Sequence, residues 1–403
     1  MEEIEVIFAN LKQLLSRVPS VARRAPTGTQ GGLPSRTSGN IAREGATKSC
    51  DHTVASSHRY VHVPPHGESE PRSGSVAPAG TLVRAMPDDV KEIFANLPDE
   101  MLLSVAQFMA ELAPLRPVPH WHFGDFINSS NLAVHVRHAL WQTAKNRSLE
   151  GTIRMPWHGG TKLNMRLGHD LSLVLFVDGR IEPNEFVLLD RILLPGMVFL
   201  DAGANEGIFT LFASTKVGTT GRVVAVEPSP RELVYLRENL RLNNIHNTDL
   251  VEQALAERSG TLHLRLAEGR HSGLNTLGDF AYPEIKTASE IQVSATTIDE
   301  MVRSLQLTNL DVIKLDLEGA EIRALMGAPQ SLQAFKPLLL IEALNSALEK
   351  QNGSVNKLLD LLETADYSIF VIDDETGMLA EFERWAPLSS NIVATHRERP
   401  WNF

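Results

Sequence analysis

The chain has 403 residues, a formal net charge of −11, 43% hydrophobic and 22% charged residues, the make-up of a globular protein long enough for two or three domains. The acidic balance argues against a nucleic-acid partner, because phosphate binding needs clustered Lys and Arg, and the sequence has no apolar run of about 18 residues that would span a membrane. The single cysteine, Cys50, excludes an internal disulfide and a cysteine-based zinc site.

Residues 1–16 place Ile4, Ile7, Phe8, Leu11, Leu14 and Leu15 at helical spacing, which predicts a short amphipathic helix. This segment lacks the basic start and apolar core of a signal peptide, so the expected compartment is the cytoplasm. Residues 17–85 are rich in Gly, Ser, Thr, Pro and Arg. They have too few large apolar side chains to offset the entropy of ordering and read as a disordered linker. Residues 86–150 read as a helical region, with helices expected over Asp88–Leu112 and Asn131–Lys145. The string IFANL occurs at Ile7–Leu11 and again at Ile93–Leu97, so the two amphipathic segments could pair or dock on a protein partner. The pairs His120/His122 and His135/His138 lack a third ligand nearby, and no metal site is assigned to them.

Over 151–403 strands and helices alternate. Strands are expected at Leu171–Val177, Val198–Asp201, Val223–Glu227, Leu250–Ala254, Thr261–Leu266, Ile291–Ala295, Val312–Asp316, Leu338–Glu342, Tyr367–Ile372 and Asn391–Thr395. Helices are expected between them, at Ile208–Ser214, Arg231–Asn243, Ile298–Ser304, Ala320–Met326 and Val355–Ala365. The fold class is therefore α/β: a Rossmann-like, doubly wound, mostly parallel seven-stranded sheet behind an N-terminal helical and disordered extension. Right-handed crossovers put the loops after the strand C-termini on one edge, where ligands bind.

The strongest local signal is VFLDAGANEGIFTLFAS, residues 198–214. A strand ends in Asp201, a glycine turn follows, and a helix starts near Ile208. Gly203 and Gly207 let the backbone turn sharply beside a ligand, and the first-turn amides of the helix face the same crevice. A carboxylate before the turn suits a ligand with an ammonium group better than a pyrophosphate. In GRVVAVEPSP, 221–230, Glu227 ends the next strand, where a carboxylate can accept from both hydroxyls of a ribose. In DVIKLDLEGAEIRALMGA, 311–328, Asp316 ends a strand on the same edge, and Glu318 and Glu321 complement the dipole of the following helix. In PLLLIEALN, 337–345, Glu342 ends a neighbouring strand. Two adjacent carboxylates push one pKa upward, which favours a general base. The same closeness would admit a divalent cation, although oxygen ligands alone do not assign one.

Taken in order, these segments resemble the FkbM-type methyltransferase family over roughly residues 170–395. The likeness rests on the DxGANxG run, the VEP strand end and the KxDxEGxE run, which Lys314, Asp316, Glu318, Gly319 and Glu321 match. It implies S-adenosyl-L-methionine as cofactor and O-methylation of a hydroxyl on a sugar, glycan or natural product. It also implies that Asp201, Gly203, Asn205, Gly207 and Glu227 hold the cofactor; Ala204, Pro228, Ala254 and Asp316 are assigned with them. The resemblance leaves the base open, and the candidates are Asp316, Glu342 and His271 in the loop RHSGLNT. Residues 268–290 are expected to form a substrate-facing lid, and residues 179–185, with Glu182 and Glu185, the opposite wall. Two other readings stand: a nicotinamide-dependent oxidoreductase, for which residues 201–205 form a poor phosphate-binding turn, and a non-catalytic scaffold of the same fold. RNA methylation is disfavoured by the acidic balance.

Overall fold

The structure, a computed structural model, describes residues 88–112, 132–179, 181–373, 377–382 and 391–401. The expected helix at 1–16, the linker at 17–85 with Cys50, and the His120/His122 pair lie outside the described residues.

Two helices, Asp88–Asn96 and Asp99–Glu111, stand where one was expected. Pro98 separates them, because its ring blocks a continuous helix and disfavours helical backbone at the residue before it. Arg147, at the end of the helix Leu132–Arg147, donates to the carbonyls of Ala95 and Leu97 and pins the break. Gln107 exchanges hydrogen bonds with the backbone of Arg154. Arg154 belongs to β1 (Thr152–Pro156), which pairs antiparallel with β2 (Lys162–Arg166).

The strand expected at Leu171–Val177 is absent. Its residues form a short helix, Asp170–Ser172, and a π-helical turn, Leu173–Asp178. Leu173 through Val177 are all buried, and a run buried all round has no periodicity to separate strand from helix. Here Arg137 of the preceding helix donates to the carbonyl of Val177, a backbone group that the turn's end leaves open.

The strands that follow are β3 (Val198–Ala202), β4 (Arg222–Val226), β5 (Thr248–Val251), β6 (Ala254–Leu255), β7 (Gly260–Ala267) and β8 (Thr287–Thr296). After them come β9 (Val312–Leu315), β10 (Leu338–Glu342), β11 (Tyr367–Ile372), β12 (Leu379–Glu381) and β13 (Asn391–His396). The main sheet has the order β12-β11-β13-β10-β9-β3-β4-β5. Within it, β5, β4, β3, β9 and β10 run parallel, and β13 runs antiparallel to β10 and β11. The expected seven strands are all there, and the short β12 adds an eighth at the edge. The runs at Thr261–Leu266 and Ile291–Ala295 do not join this sheet. As β7 and β8 they pair antiparallel beside β6 and bury one face, with Leu264, Leu266, Val293 and Ala295 packed on Ala254. The run Leu250–Ala254 accordingly divides between the two sheets.

One face of the main sheet, carrying Leu200, Ala202, Ile313, Leu315, Leu339 and Ile341, packs on the helices Ile298–Ser304, Glu321–Met326 and Val355–Thr364. Asp201 alternates to the opposite face, where Thr210 of the helix Ile208–Val217 donates to it. No helix among the described residues is long and apolar enough to cross a membrane. Register sets up the site: Ala202 lies beside Val226 and Leu315, and Leu315 beside Ile341. The residues that follow these four, Gly203, Glu227, Asp316 and Glu342, thus form one row at the C-terminal edge.

Candidate active site

Gly203, Glu227 and Asp316 of this row open on a cleft, and Glu342 stands beside it without lining it. Gly203, Ala204, Asn205, Glu227, Pro228, Ala254 and Asp316 line it, as do Lys314, Leu317 and Glu318. Asp201 and Gly207 do not line it. Asp201 is buried beneath the turn, accepts from Thr210 Oγ1 at 2.5 Å through Oδ2, and leaves Oδ1 buried without a partner. Burial raises its carboxyl above the usual aspartate range. Gly207 caps the helix behind the turn. Gly203 has φ +87, and a Cβ there would stand 1.9 Å from the carbonyl oxygen of Asp316. Only glycine lets the turn after β3 pass so close to the end of β9.

Glu227 braces this turn from the neighbouring strand. One carboxylate oxygen accepts from the Asn205 amide at 3.0 Å, and the other from the Ser229 amide at 2.8 Å. Burial pushes its carboxyl up to about 8, against the pull of these two donors. The side-chain oxygen of Asn205, Oδ1, is buried without a hydrogen-bond partner. Farther along, Ala254, Leu255, Leu264 and Leu277 make an apolar wall.

The loop over 268–290 reaches the cleft through Ser272, Gly273, Asn275 and Leu277, and residues 179–185 reach it through Ile181. Asn275 is held by Arg231 and Glu232. Burial pushes the Glu182 carboxyl up to about 8, whereas Glu185 accepts from the side chain of Asn391. His271 does not line the cleft; its Nδ1 lies 2.6 Å from Asp170 Oδ2.

At the other end stand the carboxylates. Lys314 is buried, its Nζ 2.9 Å from Asp316 Oδ2 and 4.5 Å from the centre of the Phe209 ring. Burial opposes its charge, but Asp316, Asp201 and Glu182 outweigh that and hold it above the ordinary lysine range. Single oxygens of Asp316, Glu318 and Glu342 all lie within 4.8 Å of one another. Burial, then the like charges around them, push Glu318 and Glu342 well above the usual glutamate range. Glu321 points elsewhere, accepting from the amides of Leu317 and Gly319. Lys314 and Glu318 carry no site role in the sequence reading. For Lys314 a signal existed: a lysine inside the apolar strand VIKL must meet a buried counter-charge.

Residues 201–369 match the methyltransferase FkbM domain. These residues form an FkbM-type methyltransferase domain. The chain is 28% identical over 231 residues to the methyltransferase sdnD of Sordaria araneosa, covering 51% of this chain and 83% of that protein. It is 22% identical over 202 residues to the 2-O-methyltransferase NoeI of Sinorhizobium fredii, covering 46% of this chain and 82% of that one. A third relative, the AMB antimetabolite synthetase AmbE of Pseudomonas aeruginosa, is 22% identical over 76% of this chain, and the match spans only 16% of its length. Among solved structures, a methyltransferase FkbM from Methylobacillus flagellatus aligns with TM-score 0.34 and 18% identity over 56% of this chain and 53% of that one.

The cofactor of an FkbM-type domain is S-adenosyl-L-methionine, and the cleft fits it on one observation in particular. Asn205 Oδ1 is a buried acceptor with no donor of its own beside the paired Glu227, as a ligand bearing hydroxyl and ammonium donors requires. Glu227 and Asn205 would hold the polar part and the Leu255–Leu264–Leu277 wall the base. At pH 8.5, where the carboxyl is ionised, Glu227→Gln should weaken S-adenosylmethionine binding roughly 10- to 100-fold in a calorimetric titration, because hydrogen bonds to a charged group contribute about 1.5–3 kcal/mol. The wild-type carboxyl keeps its proton up to about pH 8, and the ionised form is the better acceptor for hydroxyl donors. Affinity should therefore rise between about pH 6.5 and 8.5 in the wild type and stay level in Glu227→Gln. A level wild-type profile would remove Glu227 from this role.

Proposed function

We propose that the chain is an S-adenosylmethionine-dependent O-methyltransferase that acts on a hydroxyl of a small molecule or carbohydrate, with no nucleic-acid substrate. One observation carries the reading: a single cleft joins the Gly203–Asn205–Glu227 end to the carboxylates Asp316 and Glu318, with Glu342 beside them. The printed activity of the relative NoeI, a 2-O-methyltransferase, supports the choice of oxygen as acceptor. In this reading the catalytic domain runs over 151–403, and the helices of 86–150 precede it.

When bound, the cofactor supplies a methyl group already activated on a sulfonium. The chain's task is then alignment and proton handling. Asp316, kept in place by Lys314, gives the cleft a negative charge that suits a cationic cofactor. Glu342 has a buried oxygen, Oε2, with no hydrogen-bond partner, and its carboxylate, when ionised, suits a group that takes the proton of a hydroxyl as the new C–O bond forms and the methyl–sulfur bond breaks. His271, bound to Asp170 off the cleft, has no part in this scheme.

The test is incubation of the purified chain with methyl-labelled S-adenosylmethionine and a panel of sugars and polyols, with the labelled product identified by mass spectrometry. The expected product carries the methyl group on oxygen, and Glu342→Gln slows turnover about 10²- to 10⁴-fold, the usual contribution of a general base. Label found on nitrogen, sulfur or carbon would overturn the reading. So would no transfer from a chain that binds the cofactor.

A further inference from the structure

We infer that Asp316, Glu318 and Glu342 together hold a divalent cation of the magnesium or manganese class, at the acceptor end of the cleft. One oxygen from each carboxylate lies within 4.8 Å of the others. Two oxygens on opposite sides of one hard cation, at bond lengths of about 2.0–2.4 Å, stand about 4–4.8 Å apart. Neighbouring ligands of one ion stand closer than opposite ones, so a separation within 4.8 Å admits all three oxygens around a single ion.

Independent observations point to a cation ligand. Glu318 is 7% exposed, and the bonds found for it are made by its backbone carbonyl, to Thr276 and Gln351. Its carboxylate therefore lacks a hydrogen bond or ion pair among the described residues, although it sits in the cluster. Glu342 Oε2 is buried and likewise unpartnered. Lys314 donates to Oδ2 of Asp316 and leaves its other oxygen open to a ligand. The charges that bear on Glu342 are those of Asp316, Glu318, Glu321 and Glu182, all of one sign. Buried carboxylates of this number are accommodated by pairing or by metal coordination, and one ammonium, already bonded to Asp316, does not balance them. An all-oxygen set of three carboxylates selects a hard cation over zinc or copper.

The cluster is not sealed off. Asp316 and Glu318 line the cleft, so an ion held there would meet the acceptor. It would polarise a hydroxyl oxygen and make its proton easier to remove, with one oxygen of Glu342 on the ion and the other left to take that proton. This last step rests on the O-methyltransferase reading; the ion site itself does not.

The experiment titrates Mn²⁺ alone into the metal-stripped full chain and follows free Mn²⁺ by electron paramagnetic resonance. One saturable site is expected, weakened at least about tenfold by Glu318→Gln and by Glu342→Gln, each of which removes one charged ligand. The surface variant Glu398→Gln, beside Lys336 and remote from the cleft, leaves binding unchanged. S-adenosylmethionine titration of each variant checks that it is folded. Absence of a saturable Mn²⁺ site in the wild type overturns the inference, and so does a site that both cluster variants leave intact. Mn²⁺ binding without any O-methylated product upholds the ion site and defeats the O-methyltransferase reading. O-methylation by a chain that does not bind Mn²⁺ does the reverse.

Discussion

Lys314→Met should lower the unfolding free energy by about 3–5 kcal/mol at pH 8, the cost of removing one partner from a buried ion pair. The methionine fills similar space, so most of the loss is electrostatic. Lys314 is 4% exposed, bonded to Asp316 and adjacent to Asp201 and Glu182. Without it those carboxylates face one another in a site from which water is largely excluded. The folded pKa values of Asp201 and Glu182, raised already by burial, then rise further above the unfolded ones, so folding takes up protons and stability falls as pH rises. The deficit should therefore be largest at pH 8 and shrink toward about pH 4, below which the acids are neutral in both states. Urea denaturation of wild type and variant at both pH values measures this. A deficit under about 1 kcal/mol at pH 8 would mean that the carboxylates are neutral or solvated already.

Gly203→Ala is the second large effect. Two costs add there. An alanine at φ +87 is strained by about 1–3 kcal/mol, and its Cβ would stand 1.9 Å from the Asp316 carbonyl oxygen, backbone that moves only if β3 and β9 separate. Overpacking of that kind costs about 1–3 kcal/mol more. We expect a stability loss of about 2–6 kcal/mol in total and a sharp fall in S-adenosylmethionine affinity, since the same shift moves Ala204 and Asn205. Gly196→Ala is the control. Gly196 has φ +92, but a Cβ there meets only Thr220 Oγ1, at 3.8 Å, so it bears the backbone strain alone. Equal losses at the two positions would show that the close approach of the strand ends is unimportant.

The sequence showed the central sheet clearly because β3, β4, β9 and β10 are apolar on both faces and each ends in an acidic or glycine signal. Those four followed from that pattern, and β5, β11 and β13 from shorter apolar runs at the expected spacing. It was silent where burial erased periodicity, as at Leu173–Val177, and where a strand served a different sheet, as with β7 and β8. The polar rim of the cleft was legible for a related reason. Glu227 and Asp316 sit at the ends of apolar runs, where a charged residue stands out. The apolar wall was not, since Leu255, Leu264 and Leu277 look like any other core residues until the small sheet folds them against the cleft. His271 was a fair candidate by residue type, but only coordinates could reveal that Asp170 holds its ring.

The four strand tips that frame the cleft are kept level by backbone pairing, not by the loops beyond them. It follows that the far end of the sheet is mechanically separate from the chemistry. At Gly218–Thr220 the chain turns back between the helix Ile208–Val217 and β4; Thr219 and Thr220 are exposed, and a Cβ at Gly218 would meet nothing within 4 Å. Loop tips of this kind tolerate added residues. That corner is the natural place to splice in an affinity handle or a fluorophore, attaching the protein to a surface with its working edge turned toward solution.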